Sequence, residues 1–241
     1  MAKPKERKKP TGKEIAVVVI SIIMVISILL PSFAQIFAAP RTSQSFPTSF
    51  DDAASRYQPQ VDEAKAALQV DSQDAAQELK LADAYFNWAS YASIYAGNED
   101  EQAEVTQLYK EAATAYASYI DQVGSLDTDQ AKNASINESL SLYYSGNTAQ
   151  GVTGLEDLAK ETNYASAWAN LAMMYESQGE AAKAADAYEK GAQADTSSQG
   201  AGKKYCEDAL SRLRSSAAAS SGGASALSEK LDQTAPADST S

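Results

Sequence analysis

Residues 168–191 read WANLAMMYESQGEAAKAADAYEKG, two apolar stripes separated by the polar break Ser177-Gln178-Gly179. Trp168, Leu171, Ala172 and Tyr175 recur at i, i+3, i+4 and i+7, which is one face of an α-helix. Gly179 permits a turn, and Ala184, Ala185, Tyr188 and Ala192 carry the stripe onto a second helix. Small residues alternate with large aromatic ones along both stripes, so the two helices can nest closely. The stretch predicts a helix-turn-helix pair in which Trp168 and Tyr188 face one another.

Working outward, the same design returns in looser form. The segments around it are rich in Ala, Glu, Lys, Gln and Leu, show little period-2 alternation and carry almost no proline. That composition predicts helix throughout residues 51–214. Asp71-Ser72, Asp127-Thr128, Asn163-Tyr164 and Asp195-Thr196 read as junctions between helical runs. A middle pair carries Ile136, Leu140 and Tyr143, a break at Ser145-Gly146-Asn147, then Leu155 and Leu158. A longer first pair runs through residues 74–96, an acidic loop at Gly97-Asn98-Glu99-Asp100-Glu101, and Val105, Leu108, Ala112, Tyr116 and Ile120. VDEAKAALQVD, residues 61–71, looks like the second helix of a partial preceding pair. Tyr205, Ala209, Leu210 and Leu213 place one apolar face on a last helix, suited to covering the final pair.

The Trp168–Gly191 unit resembles the tetratricopeptide repeat, a 34-residue helix-turn-helix unit. Trp168, Leu171, Ala172 and Tyr175 match its first-helix signature, and Ala184 and Tyr188 its second. Gly191 stands where alanine is usual, and Thr196 where proline is usual. The resemblance implies an all-α fold: a tetratricopeptide-like α-solenoid of helix pairs with a capping helix. It also implies a concave face, built by the first helix of each pair, that grips an extended peptide or a partner helix. Carried onto this chain, the candidate peptide groove is Ser166, Ala169, Asn170, Met173 and Ser177. Asn170 coincides with an asparagine of the carboxylate-clamp subclass, but that clamp's basic residues are absent from the matching positions.

The N-terminus supplies a second expectation. Residues 1–14 carry six basic and two acidic side chains, a net of +4; the chain as a whole is −12, so residues 15–241 carry −16. Ile15–Leu30 holds no charge and two serines, and the uncharged run continues to Ala39. A helix over 15–39 would reach roughly 37 Å, enough to cross a hydrocarbon core of about 30 Å. The sequence predicts one transmembrane helix there, with the basic tip 1–14 cytoplasmic and the remainder extracytoplasmic. The alternative is a cleaved signal peptide, with Pro31-Ser32-Phe33-Ala34 as its small-residue cleavage context. Residues 40–50 read as a polar linker, and the Ser/Ala/Gly-rich stretch 215–241 as a disordered tail.

Chemistry is sparse. The chain has no histidine, which removes imidazole bases, Ser-His-Asp and Cys-His nucleophile systems and the common zinc sites. Cys206 is the one cysteine, so no intramolecular disulfide can form; it reads as a small packed apolar residue. Asp62-Glu63, Glu99-Asp100-Glu101 and Glu156-Asp157 read as solvated carboxylates, and the run 98–104 lacks the ligand spacing of a calcium loop. The acidic balance beyond residue 40 argues against nucleic acid. Among the aromatics of 85–95, the helical period assigns Tyr85, Trp88 and Tyr95 to the core and leaves Phe86 or Tyr91 to a groove.

The function expected from these residues is a non-enzymatic scaffold of the bacterial cell membrane, binding a protein or peptide partner. No cofactor, metal, small-molecule substrate or nucleic acid is expected. A secreted form, a self-associating structural envelope protein and an envelope enzyme are the alternatives.

Overall fold

The structure, a computed structural model, describes residues 46–197 and 200–219. The basic tip 1–14, the membrane segment 15–39, most of the linker and residues 220–241 lie outside the described residues. Within them no helix is long and apolar enough to cross a membrane.

The described chain is all-α, with no strand among its residues. Its helices are α1 (Phe50–Val70), α2 (Ala75–Tyr95), α3 (Glu99–Val123), α4 (Asp129–Tyr144), α5 (Thr148–Thr162), α6 (Ala165–Ser177), α7 (Ala181–Ala194) and α8 (Ala201–Ala219). Their starts are written in the sequence. Ser49 caps α1, Asp74 caps α2, Asn98 caps α3 and Thr128 caps α4, each side chain accepting from a backbone N–H of the first turn. The four junctions expected at 71–72, 127–128, 163–164 and 195–196 all fall between helices.

Each helix packs on the next, and α2 also touches α4, α4 touches α6, and α6 touches α8. Neighbours in sequence run antiparallel: Asp83 meets Tyr116 and Ser90 meets Tyr109 across α2 and α3. Helices two apart run parallel. Tyr164, just before α6, donates to Asn133 early in α4 at 3.2 Å, and Tyr143 late in α4 meets Ser177 at the end of α6. One continuous apolar core runs from Ala53 to Leu213.

Two glycines show how closely the pairs pack. A Cβ on Gly151 of α5 would lie 2.5 Å from the Ser139 carbonyl oxygen of α4, so the two backbones touch there. A Cβ on Gly191 of α7 would lie 2.9 Å from Cys206 Sγ and 3.3 Å from Trp168 Cβ, which accounts for glycine in place of alanine. Trp168 itself is buried under this contact, its Nε1 donating to Asn163 Oδ1 at 3.1 Å and its ring lying beneath Lys190. Tyr188 is fully buried, but its hydroxyl donates to Glu176 and its ring meets Tyr205. The two rings share one core, with Gly191 standing against Trp168.

Several boundaries differ from the sequence reading. The acidic run is not a loop: Glu99, Asp100 and Glu101 are the first turn of α3, where carboxylates offset the unpaired N–H groups. Asn98 accepts from Glu101 N at 2.9 Å and Glu101 accepts from Gly97 N at 2.6 Å, a reciprocal cap. α1 starts at Phe50, well before residue 61. The linker's last residues belong to the fold, because Pro47 is buried and its carbonyl accepts from the Tyr95 hydroxyl at 2.7 Å. At the other end α8 continues to Ala219, five residues past the expected end of the repeat domain at 214.

Candidate binding face

The inner row α2, α4, α6 and α8 leaves a narrow strip of each helix uncovered. On α2 the half-buried positions Asp83, Asn87 and Tyr91 follow one another a turn apart, Asp83 bonded to Tyr116 of α3 and Tyr91 stacked on Tyr57 of α1. On α4 the corresponding strip is Ser135, Glu138 and Leu142, and on α6 it is Ser166, Met173 and Ser177. These residues sit on successive parallel helices, so their strips lie side by side.

The structure places the five candidate groove residues unequally. Ser166 and Met173 are half-buried and Ser177 is exposed. Ala169 and Asn170 are 5% and 7% exposed, so they are packing residues and not an open floor. The reason is crowding: α6 is packed by α5 and α7 and touched by α4 and α8, leaving little of its circumference free. The Asn170 amide donates back to Ser166 O at 2.8 Å within its own helix. Ser177 is tied to Tyr143 of α4 and donates to Met174 O at 2.8 Å.

The aromatics of α2 also sort differently from their period. Tyr85 and Trp88 are core, as expected, and so is Phe86, which meets Tyr109 and Tyr116 of α3 edge-on. Tyr95 is 38% exposed, and Tyr91 is stacked on Tyr57 with Phe46 tilted against it. The chain before α1 therefore covers the C-terminal end of the α2 strip.

The sequence reading missed one polar cluster. Tyr116 of α3 donates to Asp83 Oδ1 of α2 at 2.6 Å and accepts from Asn137 Nδ2 of α4 at 3.0 Å. Burial pushes the Asp83 carboxyl up to about 6, with the Tyr116 hydrogen bond opposing it. Burial likewise raises Tyr116, reinforced by the Asp83 charge. Asn137 is 4% exposed and its Oδ1 has no partner among the described residues. A buried acceptor left unmade costs about 1–3 kcal/mol. One faint signal existed: Asn137 lies 33 positions before Asn170, close to the 34-residue length of the repeat that the sequence resembles.

Other ionisable groups are structural. Glu156 of α5 accepts from Lys160 and from Tyr175 of α6, which hold its carboxyl below the usual range. Cys206 is fully buried, and burial pushes its thiol up to about 12. A thiol so placed is a packing residue. Among the described residues no group of three or more His, Cys, Asp or Glu is placed to hold a metal ion.

No protein-family model matches the chain, and no curated protein sequence matches it.

Proposed function

We propose that the chain is a membrane-tethered tetratricopeptide-like scaffold that binds a protein or peptide partner along the strip of α2, α4 and α6 on the extracytoplasmic side. The observation that carries this reading is the parallel inner row. Helices that alternate in direction while every second one touches the next make a repeated, open-ended stack, and such stacks present extended binding surfaces. The basic tip and the uncharged run Ile15–Ala39 support a single-pass anchor with the repeats outside the cytoplasm. The strip is mixed in character, with Asn87, Ser135, Leu142, Ser166 and Met173, which suits adaptable contacts with an extended chain. The proposed role is non-enzymatic: the chain lacks histidine, and its perturbed carboxylate hydrogen-bonds a buried tyrosine and has no nucleophile beside it.

Recovery of partners from detergent-solubilised membranes tests the reading. Leu142→Arg combined with Met173→Arg abolishes recovery without loss of the cooperative thermal transition, while ending the chain at Ala219 leaves it intact. Equal recovery with both variants places the partner on the outer helices or the membrane segment. Loss on truncation alone makes the repeats a spacer for a tail-borne motif.

A further inference from the structure

We propose that the seam between α2 and α4 receives a cationic side chain of the bound partner, with the Asp83 carboxylate as its charge partner and the Asn137 amide oxygen as its second acceptor. This rests on the binding-face reading above and names the chemistry of the chain that the face takes.

The hydrogen-bond chain fixes which ends are free. An ionised carboxylate only accepts, so the Tyr116 hydroxyl donates its single proton to Asp83. Its remaining lone pair must then accept, and the group beside it is the Asn137 amide, presented N–H first at 3.0 Å. The Asn137 oxygen is thereby turned away from the tyrosine and left without a partner among the described residues. The cluster ends in two acceptors, the half-buried Asp83 carboxylate of α2 and the enclosed Asn137 amide oxygen of α4.

The side chains around it do not neutralise that arrangement. None of the ion pairs among the described residues includes Asp83. Lys80, one turn earlier on α2, is exposed and makes no ion pair with it. Tyr119, the other titratable group near Asp83, is itself raised by burial and by the Asp83 charge. A half-buried carboxylate with no cation beside it, in a region carrying −16 beyond residue 14, fits a positively charged partner group.

The geometry favours arginine over lysine. A guanidinium carries donors on several edges of one plane and can serve two acceptors on different helices, whereas an ammonium is a compact point charge. The incoming group meets Asp83 at the surface first.

The test uses the full-length protein in detergent micelles and fluorescein-labelled nonapeptides of repeating Ser-Arg-Ala, with Lys or citrulline in place of Arg. Citrulline keeps the shape of arginine and removes its charge. The arginine peptide is expected to bind at least about tenfold more tightly than the citrulline peptide, with lysine between them. Asp83→Asn abolishes that discrimination while raising the melting temperature at neutral pH, so lost binding cannot be ascribed to unfolding. Asp127→Asn, an equal charge change on an exposed loop, leaves it intact. Equal binding of the arginine and citrulline peptides, or discrimination that survives Asp83→Asn, overturns the assignment. Should partner recovery still depend on Leu142 and Met173 in that case, the binding face stands and only its cationic specificity is lost.

Discussion

Gly191 of α7 and Cys206 of α8 meet so closely that a Cβ on residue 191 would lie 2.9 Å from the Cys206 sulfur. Alanine is intrinsically better in a helix by about 1 kcal/mol, yet overpacking a closed core costs about 1–3 kcal/mol. Gly191→Ala is therefore expected to be destabilising on balance, by about 1 kcal/mol. In a Cys206→Ala background the cost of the same change should shrink, because the closest atom is gone and only Trp168 Cβ and Ala165 O remain near. Thermal unfolding of the four proteins of this cycle checks the coupling. A stabilising Gly191→Ala in the natural background would contradict the contact.

Trp168 is 7% exposed, with Gly191 against its Cβ and Lys190 over its ring. Trp168→Ala is expected to cost on the order of 3–5 kcal/mol, since the surrounding helices cannot close on the space it leaves. Hydrogen exchange should show the loss concentrated in α6, α7 and α8, with α2 and α3 retaining their protection. Uniform loss over all helices would mean that the stack unfolds as one unit.

Acid should stabilise this protein before it destabilises it. The folded-state pKa of Asp83 is raised to about 6 from 3.8, and burial also raises Glu78 and Glu138. A raised carboxylate binds its proton more tightly in the folded state, so its cost is fully present above about pH 6 and falls away as pH drops from about 6 towards 3.8. For Asp83 this is on the order of 3 kcal/mol. Glu156 and Asp195 are lowered and act oppositely, losing their contribution only below the ordinary carboxylate range. The melting temperature is expected to rise between pH 7.5 and 5 and to fall at lower pH. Asp83→Asn flattens the rise, and an unchanged slope in that variant would contradict the assignment.

Intact-mass measurement of membrane-purified protein is expected to give an N-terminus at residue 1 or 2. The uninterrupted uncharged run through Ala39 is the basis for this. A mature N-terminus at Gln35 would make the protein a released one.

The helices and their pairing were legible because each carries its own period, cap and break. Trp168, Tyr175, Ala184 and Tyr188 announce one pair unaided, and Asp74, Asn98 and Thr128 mark starts through their caps. What stayed hidden depended on helices distant in sequence. Phe86 lies off the main apolar period of α2 yet is buried, because α3 covers that side as well. Ala169 and Asn170 look free on a single helix and are closed off by packing around α6. Glu99–Glu101 looked like a loop because three carboxylates in a row suggest solvent, which is also where a helix N-terminus favours them. The Asp83–Tyr116–Asn137 chain joins three helices over more than fifty positions, and no local pattern encodes it.

Site-specific photocrosslinking in intact cells tests the binding face most directly. A benzoyl-phenylalanine placed at Asn87, Leu142 or Met173 samples the inner strip, and one placed at Thr114 or Asp157 samples exposed positions on the outer helices α3 and α5. The same discrete crosslinked partner is expected from the three inner positions and none from the two outer ones. Crosslinks confined to Thr114 and Asp157, with the inner strip silent, would contradict it.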